Sequence, residues 1–254
     1  CLAGTSIAQE SPLWMRHCAL SPDGTTIAFT YKGDIYTVPS TGGRATQITT
    51  NPAFDTEPVW SPDSKQIAFA SDRMGSLDVF VVSSEGGAPQ RLTTHSGSEK
   101  PVAYKDNKHI LFTANIAPSA EDAGFPSGQF QQVYEVAVTG GRPAMFSSMP
   151  MECISINKEG VMLYQDKKGY EDYWRKHQVS PIARDIWTYT PGKKPVYQKQ
   201  TTFGGEDREP VWSPDGKSFY YLSEEKGSFN IFQRTPGTTT SQQSLSIQSI
   251  PYVF

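Results

Sequence analysis

Serine, histidine, aspartate and cysteine are the residues in this chain whose types could do covalent or metal chemistry, so their spacing comes first. A serine-hydrolase elbow needs Gly-x-Ser-x-Gly, because only glycines fit the tight strand-to-helix turn around the nucleophile. No segment has it; Thr94-His95-Ser96-Gly97-Ser98 comes nearest, with Thr94 and Ser98 in the two glycine places, and reads as a turn. The aspartates Asp23, Asp63 and Asp215 recur in one setting, Ser-Pro-Asp, where a carboxylate bonds the local backbone. They are read as turn residues, not as a metal cluster. The four histidines, His17, His95, His109 and His177, are scattered, with no pair at ligand spacing. Cys1, Cys18 and Cys153 fit neither a zinc site nor a disulfide framework. The sequence suggests that Cys18 and Cys153 are small buried hydrophobes. Gly42-Gly43, Gly86-Gly87 and Gly140-Gly141 lack the strand-loop-helix setting of a phosphate loop and read as hairpin turns. No catalytic, cofactor or metal site is expected.

The elements that carry these turns explain their repetition. Glu57-Pro-Val-Trp-Ser-Pro-Asp-Ser64 and Glu209-Pro-Val-Trp-Ser-Pro-Asp-Gly216 nearly coincide, and Cys18-Ala-Leu-Ser-Pro-Asp-Gly24 is a third copy. Weaker copies are Lys100–Asn107 and Ile154–Gly160. Aligned on Ser21, Ser61, Tyr104, Asn157 and Ser213, the copies step by 40, 43, 53 and 56 residues. A unit of about 40 residues is the length of one four-stranded propeller blade. Within the second unit, Gln66-Ile-Ala-Phe-Ala70 alternates, which puts Ile67 and Phe69 on one face. The expected fold is all-β: a β-propeller of four-stranded blades, about five present of an expected six, an incomplete ring. Blades should start near residues 12, 52, 95, 145 and 201 and end near 236. Residues 237–254, which include the polar stretch Thr238–Gln243, are expected to be the start of a further blade or a linker.

Two segments exceed what a blade needs. One runs from Asn115 to Gln131, the other from Gly169 to Arg184. Long loops in compact domains are often functional. The second places Tyr170, Tyr173 and Trp174 beside Arg175 and Lys176, a composition found at contact surfaces. These five residues are the candidate contacts to peptide or to a partner domain; sealing of the blade edge is the competing role.

Composition narrows the partners. With 254 residues and net charge −3, the chain has no electrostatic reason to bind nucleic acid. No apolar run reaches the roughly 18 residues of a membrane helix. Residues 1–8 are small and uncharged, and Ser6-Ile7-Ala8 fits signal-peptide cleavage, so they read as a signal remnant. Lipidation of Cys1 is the alternative. Both imply export, most simply to a periplasm.

The repeat words Ser-Pro-Asp-Gly, Ile-Ala-Phe, Gly-Asp-Ile-Tyr and Gly-Gly resemble the WD40-like propellers of tricorn-type proteases, the Tol system and prolyl oligopeptidase relatives. Three longer passages, Lys168–His177, Ala183–Trp187 and Phe203–Gly216, resemble the N-terminal propeller of secreted tricorn-like serine peptidases of the Bacteroides type. The resemblance covers about residues 12–235. It implies a parent protein with a PDZ-like module and a serine peptidase core outside this chain, and a propeller that gates or presents peptides. The expected partners are then peptides or the parent's own domains. Tricorn's paired arginines for the substrate C-terminus have no counterpart here, since Arg175-Lys176 is the nearest dibasic pair. A protein-binding scaffold like the Tol-system propeller is the second reading.

Overall fold

The structure, a computed structural model, describes residues 14–116, 130–169 and 179–245. They form five antiparallel sheets of four strands, each a meander in chain order. Blade one holds β1 (Arg16–Leu20), β2 (Thr26–Tyr31), β3 (Asp34–Pro39) and β4 (Thr46–Gln47). Blade two holds β5 (Asp55–Trp60), β6 (Gln66–Ser71), β7 (Asp78–Ser83) and β8 (Gln90–Arg91). Blade three holds β9 (Lys100–Asp106), β10 (His109–Ala114), β11 (Gln132–Ala137) and β12 (Ala144–Ser147). Blade four holds β13 (Met151–Ile156), β14 (Met162–Asp166), β15 (Ile186–Thr190) and β16 (Val196–Lys199). Blade five holds β17 (Asp207–Trp212), β18 (Phe219–Ser223), β19 (Asn230–Arg234) and β20 (Ser241–Leu245). The described residues include no helix. The first strands pack in succession, β1 on β5, β5 on β9, β9 on β13 and β13 on β17, so the blades stand around a common axis.

Strand alternation explains why the sheets stack. Ile67 and Phe69 of β6 point toward blade one and pack with Trp60, Phe80, Ala28 and Ile35. Ala68, one residue out of phase, faces blade three and packs with Tyr104, Ile110 and Phe112. At the first two junctions an alanine, Ala28 or Ala68, thus meets a larger face. Burying Phe69 completely contributes about 2–3 kcal/mol.

The Ser-Pro-Asp turns hold as the sequence implies. Ser61 Oγ donates to Asp63 Oδ1 at 2.7 Å and accepts the Gln66 N–H at 2.9 Å. Ser21 and Ser213 make the same pair of bonds, to Asp23 and Thr26 and to Asp215 and Ser218. The three serines therefore occupy equivalent places. The paired glycines are hairpin turns between third and fourth strands. Gly86 and Gly87 have φ of 88° and 118°, a region closed to most side chains, and the other two pairs match them.

Two expectations are corrected. Ser241–Leu245 lies within the stretch read as a linker or a new blade, yet it pairs with β19 as the outermost strand of blade five. An outermost strand has one neighbour and can stay polar, so its sequence carries no apolar alternation to find. Cys18 and Cys153 are free and exposed, not buried. Both lie on first strands, which face the axis instead of a neighbouring sheet.

Candidate functional site: an axial funnel

The first strands bend at a repeated irregularity. His17, Glu57, Cys153 and Glu209 have φ between 51° and 55°, and each stands four residues before the turn Ser or Asn. Strand register slips at the same places, between Arg16 and Ala19, Thr56 and Val59, Glu152 and Ser155, and Arg208 and Val211. Such bulges re-aim a side chain and tighten the local twist. Lys100 is the blade-three equivalent without the positive φ.

This layer is polar. Lys100 Nζ reaches Glu57 Oε1 at 2.7 Å across the junction of blades two and three. Cys153 has solvent access but is surrounded by protein. Crowding by that protein, which strips water from the thiolate, and then the Glu209 and Glu152 carboxylates push its thiol up to about 12. It is therefore a poor nucleophile.

Beyond the bulges, toward the Ser-Pro-Asp turns, lies a funnel-shaped cavity of about 430 Å³ with walls from all five blades. Leu20, Val59, Val102, Ile156 and Trp212 make its sides apolar. Two indoles are held by their edges. Trp60 Nε1–H donates to Ala19 O at 2.9 Å, and Trp212 Nε1–H to Val161 O at 3.1 Å. With each indole N–H satisfied, what remains is apolar surface. Such a site could take up a short extended chain through apolar contact. It holds no acid–base pair of matched geometry.

Nothing elsewhere supplies one among the described residues. His95 Nδ1 accepts the Gly97 N–H at 3.0 Å, which makes 94–98 a compact turn. His109 Nδ1 sits 3.0 Å from Asp106 Oδ1 on an exposed hairpin. No group of three or more His, Cys, Asp or Glu among the described residues could hold a metal ion. No helix among the described residues is long and apolar enough to cross a membrane.

The sequence-derived contacts Tyr170, Tyr173, Trp174, Arg175 and Lys176 lie outside the described residues. The root of their segment is described. A Cβ on Gly169 would stand 3.2 Å from Ile182, so the two ends of the insert meet. Ser180 N–H donates to Gly204 O at 3.3 Å, which ties the root to the link between blades four and five. The words behind the tricorn-like resemblance come together there. Arg184 Nη1 is 3.2 Å from Glu206 Oε2 and its Nε is 3.3 Å from Glu152 Oε2. Lys168 contacts the Asp185 carboxylate. Both long segments join a second strand to a third, β10 to β11 and β14 to β15. The strand ends that flank them therefore lie at the end of the sheets opposite the Ser-Pro-Asp turns.

The funnel residues were missed from sequence. The available signal was their place one or two residues before the repeated turn position, which marks one layer of the ring.

Comparison with known proteins agrees with this geometry. Residues 12–252 match the model of the tricorn protease N-terminal beta propeller domain. Tricorn protease homolog 1 of Streptomyces coelicolor is 39% identical over 213 residues, 83% of this chain and 19% of that protein. An uncharacterized protein of Agrobacterium fabrum, Atu1656, is 34% identical over 218 residues, 80% of this chain and 68% of its own length. Among solved structures, the tricorn protease crystal structure superposes with a TM-score of 0.74 at 16% identity, covering 93% of this chain and 23% of that one. A putative TolB from Agrobacterium tumefaciens gives 0.70 at 14% identity, covering 92% and 81%. The chain thus spans about a fifth of its Streptomyces relative, and it belongs to the tricorn protease N-terminal β-propeller family.

Proposed function

We propose that this chain is the non-catalytic propeller of an exported tricorn-like serine peptidase, and that it gates or presents peptides to a peptidase core outside the chain. The observation that carries this reading is the axial funnel: apolar walls from five blades, above a polar layer, with no nucleophile–base pair. Peptides are the ligands that match such a passage, since they offer apolar side chains along a polar backbone. The 169–184 segment serves the same role from the other end, with Tyr170, Tyr173, Trp174, Arg175 and Lys176 contacting peptide or the peptidase and PDZ-like domains. Export, to the periplasm, follows from the signal-like residues 1–8.

The ring is completed by a sixth blade. Leu20 is 58% exposed, whereas Trp60, its equivalent in blade two, is 7% exposed. Val211, on the outward side of blade five, is 56% exposed. Each marks a sheet face that the inner junctions cover.

The test is Trp174→Ala in the full-length protein. Peptide turnover should fall while the melting temperature stays nearly unchanged. A large loss of stability with unchanged turnover would make the segment a structural seal and remove it from the functional account.

One observation favours a second reading, a protein-binding scaffold like the Tol-system propeller. The Agrobacterium fabrum relative is mostly propeller, since the match covers 68% of it, which leaves little room for a peptidase core. Sequence beyond Phe254 decides between the two.

A further inference from the structure

Three blade junctions are built on one plan. The N–H groups of Asp55, Glu99 and Asp207 donate to the carbonyls of Gly33, Leu77 and Arg184 in the preceding blade, at 2.7, 2.7 and 3.1 Å. The next residue in each case is an aspartate, Asp34, Asp78 or Asp185. A threonine, Thr49, Thr93 or Thr201, caps the third strand by accepting the following N–H. Two carboxyls are therefore brought beside one hydroxyl at each junction.

What differs is the compensation. Between blades one and two, Arg73 places Nη2 at 3.0 and 2.9 Å from the two oxygens of Asp55. Between blades four and five, the Thr201 and Ser223 hydroxyls favour the Asp207 carboxylate, yet neither of its oxygens has a hydrogen-bond partner of good geometry. Between blades two and three, Arg91 is taken by Asp78 at 2.9 Å. Arg73 lies two residues past the end of β6, and that place in blade three falls to Ile116. Residues 117–129 contain no Lys or Arg. Glu99 is 0% exposed, and neither carboxyl oxygen has a hydrogen-bond partner of good geometry, although the Thr93 hydroxyl and the His95 backbone are near enough to favour its charge.

Glu99 also contributes to the wall of a cleft of about 770 Å³ between blades two and three. Leu92, Ile116, Tyr134 and Met145 line it, which suits an aliphatic chain. Two cations, Arg91 and Arg142, also line it, and Arg91 is held by Asp78. A buried carboxyl with no well-placed donor is costly, and a cation that entered would relieve it.

We propose that this cleft binds a primary ammonium group carried on an aliphatic chain, as in a lysine side chain, with Glu99 as its counter-ion. The site is separate from the axial funnel. Burial, more than the Asp78 charge, lifts Glu99 to about 7, against weaker opposing effects of Thr93, the His95 backbone and Arg91. Binding needs the ionised form, so it strengthens as pH rises and releases a proton near neutrality.

The experiment is a nuclear magnetic resonance titration of the whole chain with Nα-acetyl-lysine methylamide and, in parallel, Nα-acetyl-norleucine methylamide, which lacks the ammonium. The lysine probe should perturb the Thr93, Glu99 and Ile116 amides and bind about tenfold more tightly than the norleucine probe. Glu99→Gln should erase that difference. Equal binding of the two probes, no perturbation by either at millimolar concentration, or discrimination that survives Glu99→Gln would each overturn the proposal.

Discussion

Lys100 and Glu57 occupy the same position in consecutive first strands, and their side chains meet at 2.7 Å across the blade boundary. The contact joins two blades at the layer where the strands bulge. Both side chains are partly exposed, so the pair is screened by solvent. Lys100→Met should cost no more than about 1 kcal/mol, read from the urea midpoint at constant slope. A loss several times larger would mean that this layer is closed to water.

Arg184 is a different case. It is buried, and it answers Glu152 in blade four and Glu206 in the link to blade five. Arg184→Met leaves the buried Glu206 without its cation, while Glu152 keeps Lys167, and breaking a buried pair from one side costs about 3–5 kcal/mol. Denaturant unfolding should show that loss, or no folded protein. A change below about 1 kcal/mol would show that water already reaches the network.

Asp207 gives stability a pH dependence. Burial, opposed by the Ser223 and Thr201 hydroxyls and reinforced by Asp185 and Glu225, raises its carboxyl to about 7. Between the ordinary carboxylate range and 7, the folded state holds a proton that the unfolded state has lost. Stability from this group is therefore full at low pH and declines as pH rises through 7. Asp207→Asn should flatten the profile between pH 5 and 8, measured as the urea midpoint. A variant as steep as the parent would place the titration elsewhere, with Glu99 the next residue to replace.

The two described thiols should react at different rates. Cys18 is exposed and Cys153 is also accessible, but its thiol is raised to about 12. In a Cys1→Ser background at pH 8, iodoacetamide should modify Cys18 about tenfold faster or more, because the thiolate is the reacting form. Equal rates would mean that the carboxylates around Cys153 do not hold its proton.

Much of this architecture was legible in the residues. Ser21, Ser61 and Ser213 announced equivalent turns because a Ser-Pro-Asp turn needs each of those types. Ile67 and Phe69 announced a buried face because a strand alternates. β20 was illegible, since a strand at the rim buries little. The funnel was illegible for another reason: Leu20, Val59, Val102, Ile156 and Trp212 lie on five blades, and only the stacking of successive blades brings them to one cavity. Glu99 escaped notice because a lone glutamate gives no sign of burial. The acidic pairing behind it repeats at three junctions, but with aspartate in two and glutamate in one.

The central claim is that peptides pass through or dock in the axial funnel on the way to a distant peptidase core. Val102→Trp would fill part of the 430 Å³ cavity from one wall while leaving the turns intact. In the full-length protein, the measurement is kcat/KM for an unstructured decapeptide and for a chromogenic dipeptide on parent and variant. The account predicts a fall of about tenfold for the decapeptide, worth about 1.4 kcal/mol, with the dipeptide unchanged. Unchanged turnover of both peptides would contradict it.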